Sequence, residues 1–182
     1  MLYILLANGF EEIEALATVD IIRRAGIDIQ MASVEGVRAV TGAHGISVMA
    51  DCLIRRGDIE QSEGIILPGG MPGAETLRKN AAVRKLVQVM ASKNALVAAI
   101  CAAPMVLGDV GVLKGRKATC YPGFEKWLQG ADYQEEAFVV EDGQFITAKG
   151  PGVTVPFALS IARRFVSEDT VNSVSQGMIL PA

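Results

Sequence analysis

The run Ala95-Leu-Val-Ala-Ala-Ile100 leads directly into Cys101-Ala-Ala-Pro104, so an apolar, strand-like segment ends on a cysteine at the start of a helical stretch. A thiol at such a junction projects from a sheet edge, and the unpaired N–H groups of a helix start favour thiolate over thiol. Ala99, Ala102 and Ala103 leave room for the sharp turn that presents a nucleophile in hydrolases. A cysteine that only fills space in a core fits the same junction.

Two further features bear on that sulfur. Helical spacing places Glu14 in the arc of Ile13, Ala17, Thr18, Ile21, Ile22 and Ala25, opposite Glu12, Asp20, Arg23 and Arg24. A carboxyl pointed at the core holds a proton at neutral pH or receives hydrogen bonds from an organised site; a first-turn glutamate that reaches solvent past Thr18 is the alternative. The run Leu67-Pro-Gly-Gly-Met-Pro-Gly-Ala74 is a glycine loop between strand and helix, with N–H groups suited to an oxyanion or a phosphate. Gly69, Gly70 and Gly73 do not have the spacing of a dinucleotide fingerprint, and no Lys-Ser/Thr pair follows, so no nucleotide cofactor is expected.

No histidine follows Cys101, and the one histidine, His44, lies in the glycine-flanked turn Thr41-Gly-Ala-His-Gly45. That turn reads as exposed, with the site in reach only across a subunit boundary. Lacking a general base typically costs a factor of about 10² to 10⁴, so amide hydrolysis by this chain should be slow. The cysteines Cys52, Cys101 and Cys120 are odd in number and far apart, with no Cys-x-x-Cys pair. No disulfide framework and no metal site are expected, and a reducing cytoplasm fits.

These residues need a scaffold, and the pattern supplies one. Strand-like runs Leu2 to Ala7, Asp28 to Ser33, Gly64 to Pro68 and Ala95 to Ile100 alternate with helical stretches Glu11 to Ala25, Ala74 to Leu77, Ala81 to Ser92 and one opened by Cys101. Hairpin-like pairs are expected at Val37 to Val40 with Ile46 to Ala50, and at Ala137 to Val140 with Gln144 to Thr147, turned by Glu141-Asp-Gly143. Helices over Val155 to Phe165 and Glu168 to Gln176 close the chain. Near-continuous apolar strands separated by helices imply a doubly wound α/β sandwich with a mostly parallel sheet and a small hairpin, one domain over 1–182. Ligands in such sheets sit beyond the strands' carboxyl ends, here Asn8-Gly9, Pro68-Gly69-Gly70 and Cys101. The apolar start Met1 to Ala7 is too short to span a membrane, and a net charge of −3 argues against a nucleic-acid partner.

The order Leu6-Ala-Asn-Gly-Phe-Glu-Glu-Ile-Glu14, Asp20-Ile-Ile-Arg-Arg-Ala-Gly26, Leu67-Pro-Gly-Gly70, Ala98-Ala-Ile-Cys-Ala-Ala-Pro104 and Lys149-Gly-Pro-Gly152 resembles the ThiJ/PfpI superfamily, in its Parkinsonism-associated deglycase branch, over essentially the whole chain. The resemblance implies a flavodoxin-like or class I glutamine amidotransferase-like fold, with Cys101 as the nucleophile and Glu14 protonated and hydrogen-bonded to it. It implies N–H groups of Gly70 and Ala102 as the oxyanion site and a homodimer formed through the first helix, where Leu16 and Val19 suit an interface. Many members of the branch carry histidine where this chain has Tyr121, and tyrosine, with an ordinary pKa of about 10, is a poor base at pH 7. Tyr121, His44, Asp20 and Arg24 are further pocket candidates, with Arg24 or His44 supplied by a partner copy; Cys120, beside Tyr121, is a second thiol or core.

The reading that follows is a cofactor-independent, cysteine-dependent enzyme of the glyoxalase or deglycase type. Its substrate is a small reactive dicarbonyl, or an early adduct of one on a protein or nucleotide, and lactate or glycolate is released. A redox-sensing stress protein or chaperone with an oxidisable Cys101 is the alternative, and an intracellular peptidase is disfavoured by the missing histidine.

Overall fold

In a computed structural model that describes residues 1–54 and 59–180, the chain builds one seven-stranded sheet flanked by helices on both faces, with two small two-stranded sheets beside it. The central strands are β1 (Leu2–Leu6), β2 (Ile29–Ser33), β6 (Gly64–Leu67), β7 (Leu96–Ile100) and β11 (Phe145–Ala148), with β5 (Cys52–Leu53) and β10 (Val139–Asp142) at the edges. The order is β10-β11-β7-β6-β1-β2-β5, parallel throughout except for the β10–β11 hairpin. Between β2 and β5 lies the antiparallel pair β3 (Ala39–Thr41) and β4 (Ser47–Met49), and β8 (Lys117–Ala118) pairs with β9 (Asp132–Tyr133).

Every residue of β1, β6, β7 and β11 is buried. Side chains alternate across a pleated strand, so each apolar run feeds two cores at once. Leu2, Ile4, Leu6, Ile66, Ala98, Ile100 and Ile146 pack beneath α1 (Glu12–Arg24) and α5 (Thr154–Ala162), which pack against each other on that face. Leu5, Ile65, Leu67, Val97, Ala99 and Phe145 pack on the other side, under α2 (Gly73–Lys79), α3 (Ala81–Ser92) and α4 (Pro104–Asp109). Asn80 caps α3 by accepting from the N–H groups of Ala82 and Val83, and Ser167 caps α6 (Glu168–Gly177) through Thr170 N–H.

Four expectations need correction. The helix after β7 begins at Pro104, leaving Cys101 to Ala103 as a separate turn, because Cys101 takes a left-handed φ of 63° that no helix accommodates. The second hairpin turns at Gly143-Gln144, since Asp142 is held in β10 by Lys117 N–H and Arg116, and Gly143 supplies the positive φ. On α1, Glu12 is buried and Ile13 is 57% exposed, the reverse of the helical-wheel placement. Val19 belongs to the core beneath α1, so it is no part of an exposed face. No described helix is long and apolar enough to cross a membrane.

Candidate active site

The parallel strands β1, β6, β7 and β11 all end at one sheet edge, which brings the loops after residues 6, 67, 100 and 148 together. Cys101 stands at the centre of that edge. Its left-handed backbone is held from both sides: Cys101 N–H donates to the Ala148 carbonyl at 2.8 Å, and the Cys101 carbonyl accepts from Tyr121 N–H at 2.8 Å. A non-glycine residue in this conformation costs about 1–2 kcal/mol and persists only where neighbours over-determine it. These two bonds do so, and the side chain they fix is half-buried.

Glu14, in the first turn of α1, is fully buried and faces the same point. Its Oε2 accepts from Gly69 N–H at 2.7 Å, and both Oε2 and the Cys101 sulfur lie against Gly69. Oε1 has no hydrogen-bond partner among the described residues. A carboxyl so poorly solvated favours its neutral form: burial raises Glu14 from 4.5 to about 7, against the lowering effect of Gly69 N–H and Cys101. Two backbone amides, those of Ala102 and Gly70, lie near enough the sulfur to favour its anion. Gly70 reaches this position through a φ of 86°, and a side chain there would run into the backbone of Gly9 and Glu11.

Burial, followed by the charge and hydrogen bond of Glu14, pushes the Cys101 thiol up to about 12, while the Ala102 and Gly70 amides pull the other way. This corrects the expectation of a thiol lowered by a helix start: α4 begins three residues later, and a buried carboxylate outweighs the amides. Two anions in hydrogen-bond contact in a dry site are strongly disfavoured. Between about 7, where the carboxyl gives up its proton, and about 12, where the thiol does, the pair therefore holds one proton and one negative charge. That proton is the chemical content of the site.

The structure brings together Cys101, Glu14, Gly70 and Ala102, and adds Gly69, whose N–H the sequence reading overlooked. Tyr121 reaches the site through its backbone; its ring is 46% exposed and lies against Gly150. Cys120 is buried in the opposite core, where burial raises it to about 12. Asp20 and Arg24 pair with each other at 2.6 Å on the exposed side of α1, and Arg24 borders a depression with Thr170, Ser173 and Val174; neither joins Cys101 within this chain. His44 is exposed and its Nδ1 meets Glu12 Oε2 at 2.8 Å and Glu11 Oε1 at 3.7 Å. Glu12 also accepts from the N–H groups of His44 and Ile46, so it clasps the β3–β4 hairpin onto α1. That clasp explains why Glu12 turns inward, and both carboxylates raise the pKa of His44. Glu11, Glu12 and His44 form the only group of potential metal ligands among the described residues, with ligand atoms within 4.8 Å of one another.

Comparison with known proteins agrees with this architecture. The DJ-1/PfpI family model matches residues 1–164. Protein DJ-1 homolog B of Arabidopsis thaliana is 38% identical over 177 residues, 96% of this chain; the chain spans 40% of the length of that plant relative. Deglycase PH1704 of Pyrococcus horikoshii is 34% identical over 148 residues, covering 81% of this chain and 88% of that protein. The crystal structure of Drosophila melanogaster DJ-1beta superposes with a TM-score of 0.93 at 33% identity, covering 100% of this chain and 98% of the other.

Proposed function

The chain belongs to the DJ-1/PfpI family, and on that premise we propose that it is a cysteine-dependent enzyme acting on small α-oxoaldehydes or their early adducts. The observation that carries this reading is the fully buried Glu14 carboxyl, held by Gly69 N–H and beside Cys101, with the amides of Gly70 and Ala102 near the sulfur. Sγ attacks the aldehyde carbon, the C=O electron pair moves to oxygen, and the N–H groups of Gly70 and Ala102 lie within reach of that alkoxide. The pair's proton moves through Glu14 to the oxygen, giving a hemithioacetal. Transfer of the C1 hydrogen as a proton to the adjacent ketone, through an enediol, oxidises C1 to a thioester and reduces C2 to an alcohol, so no external oxidant is involved. Water then releases the 2-hydroxy acid and regenerates the thiol. A carboxyl poised near 7 suits such a shuttle at neutral pH, and an electrophilic aldehyde needs less base strength than an amide.

Methylglyoxal turnover to lactate tests the reading. Cys101→Ser is expected to lower kcat/KM by a factor on the order of 10³ or more. Lactate formation by the unaltered protein no faster than by Cys101→Ser would overturn it. We also propose that the chain works as a homodimer. Ile13 on α1 and Ile46 and Met49 on the hairpin clasped to it are 57%, 54% and 61% exposed, an apolar face that a second copy would cover. Ile13→Asp is expected to shift sedimentation equilibrium towards monomer, and an unchanged molecular mass would contradict that assembly.

A further inference from the structure

Beyond the reacting atoms, the sheet edge carries an apolar depression of about 320 Å³ whose walls are Tyr121, Phe138, Lys149, Gly150, Pro151 and Val153. It adjoins the nucleophile through the backbone: Tyr121 N–H is bonded to the Cys101 carbonyl, and Ala148, which accepts from Cys101 N–H, precedes Lys149. Two aromatic side chains stay in solvent here, Tyr121 at 46% and Phe138 at 63% exposure. The Tyr121 ring is braced edge-on by Phe124 at 6.5 Å, and Lys149 N–H is bonded to the Phe138 carbonyl. Lys149 Nζ lies 5.5 Å from the centre of the Phe138 ring, and no carboxylate pairs with it among the described residues.

From these observations we infer that this depression is a specificity subsite for an aromatic substituent on the α-oxoaldehyde. The inference rests on the dicarbonyl reading. The wall adjoining the Cys101 backbone offers the aldehyde's other substituent ring faces and backbone, without charge except for one ammonium. Apolar walls favour a flat hydrocarbon, and the ammonium favours the electron-rich face of an aromatic ring over a saturated chain. The volume lies at the small end of ligand pockets, enough for one ring and not for a peptide. Methylglyoxal would leave this space unused.

The test compares phenylglyoxal with methylglyoxal as substrates of the full chain and of Phe138→Ser, a change at an exposed position outside the reacting group. The unaltered protein is expected to prefer phenylglyoxal in kcat/KM by about tenfold or more. Phe138→Ser is expected to erase most of that preference while leaving methylglyoxal turnover unchanged. A second arm needs no turnover: phenylpyruvate should protect Cys101 from iodoacetamide at about tenfold lower concentration than pyruvate, and Phe138→Ser should abolish the difference. Equal protection by the two acids, or no preference between the aldehydes, overturns the subsite. A Phe138→Ser variant whose sedimentation mass changes overturns it too, because the face is then covered by another copy. If neither aldehyde is turned over while selective protection persists, the enzymatic reading fails and the aromatic subsite stands as a binding site.

Discussion

Glu14→Gln is expected to lower kcat/KM for α-oxoaldehydes by about 10²- to 10⁴-fold, the usual contribution of a positioned acid–base group. Glutamine keeps the shape and can still meet Gly69 and the sulfur, but it cannot exchange a proton with them. In the unaltered protein kcat/KM should rise with pH through about 7, where the buried pair gives up its first proton. That limb should vanish in the variant. Stability should respond in the opposite sense. Burial raises the Glu14 carboxyl to about 7 in the folded chain from an ordinary 4.5, so its stabilising contribution is complete below 4.5 and is lost as pH rises through 7. The loss amounts to about 3 kcal/mol. Urea unfolding at about pH 5 and about pH 8 should show Glu14→Gln gaining on the unaltered protein by up to that amount, and parallel pH profiles would contradict the account.

Gly69→Ala is expected to disable the same site by geometry alone. Gly69 does not require a left-handed backbone, so alanine fits its conformation. The added carbon, however, would stand 2.7 Å from Cys101 Cβ, 2.8 Å from Glu14 Oε2 and 3.0 Å from Sγ. Neither Cys101, fixed by two backbone bonds, nor Glu14, enclosed on α1, has room to give. Separating sulfur from carboxyl by about 1 Å costs about 10²-fold in rate, and the overpacking costs about 1–3 kcal/mol. Activity within about twofold of normal would show that close contact of sulfur and carboxyl is not required.

The parallel sheet was legible because burial on both faces leaves an unbroken apolar run, as in Leu2 to Leu6 and Leu96 to Ile100, which few other environments produce. Strand ends converging on one edge brought Cys101 and the Gly69-Gly70 loop together, while the pairing of Glu14 with Cys101 was implied by the family resemblance. What escaped the sequence depends on contacts distant along the chain. Glu12 faces inward because a hairpin some 30 residues later offers it two N–H groups and a histidine, a partner that helical periodicity does not register. The two-residue strands β5, β8 and β9 are too short to show alternation. The raised thiol of Cys101 depends on how deeply a particular carboxyl is enclosed, and residue types at a strand–helix junction do not encode that depth.

The most direct test is the titration of the Glu14 side-chain carboxyl by carbon-13 NMR in the folded protein and in Cys101→Ala. A midpoint near 7 in the unaltered chain, displaced when the sulfur is removed, is the result expected of one proton held between carboxyl and thiol. A midpoint near 4.5 in both proteins would mean that Glu14 ionises independently of Cys101, leaving the sulfur without the partner on which its reactivity depends.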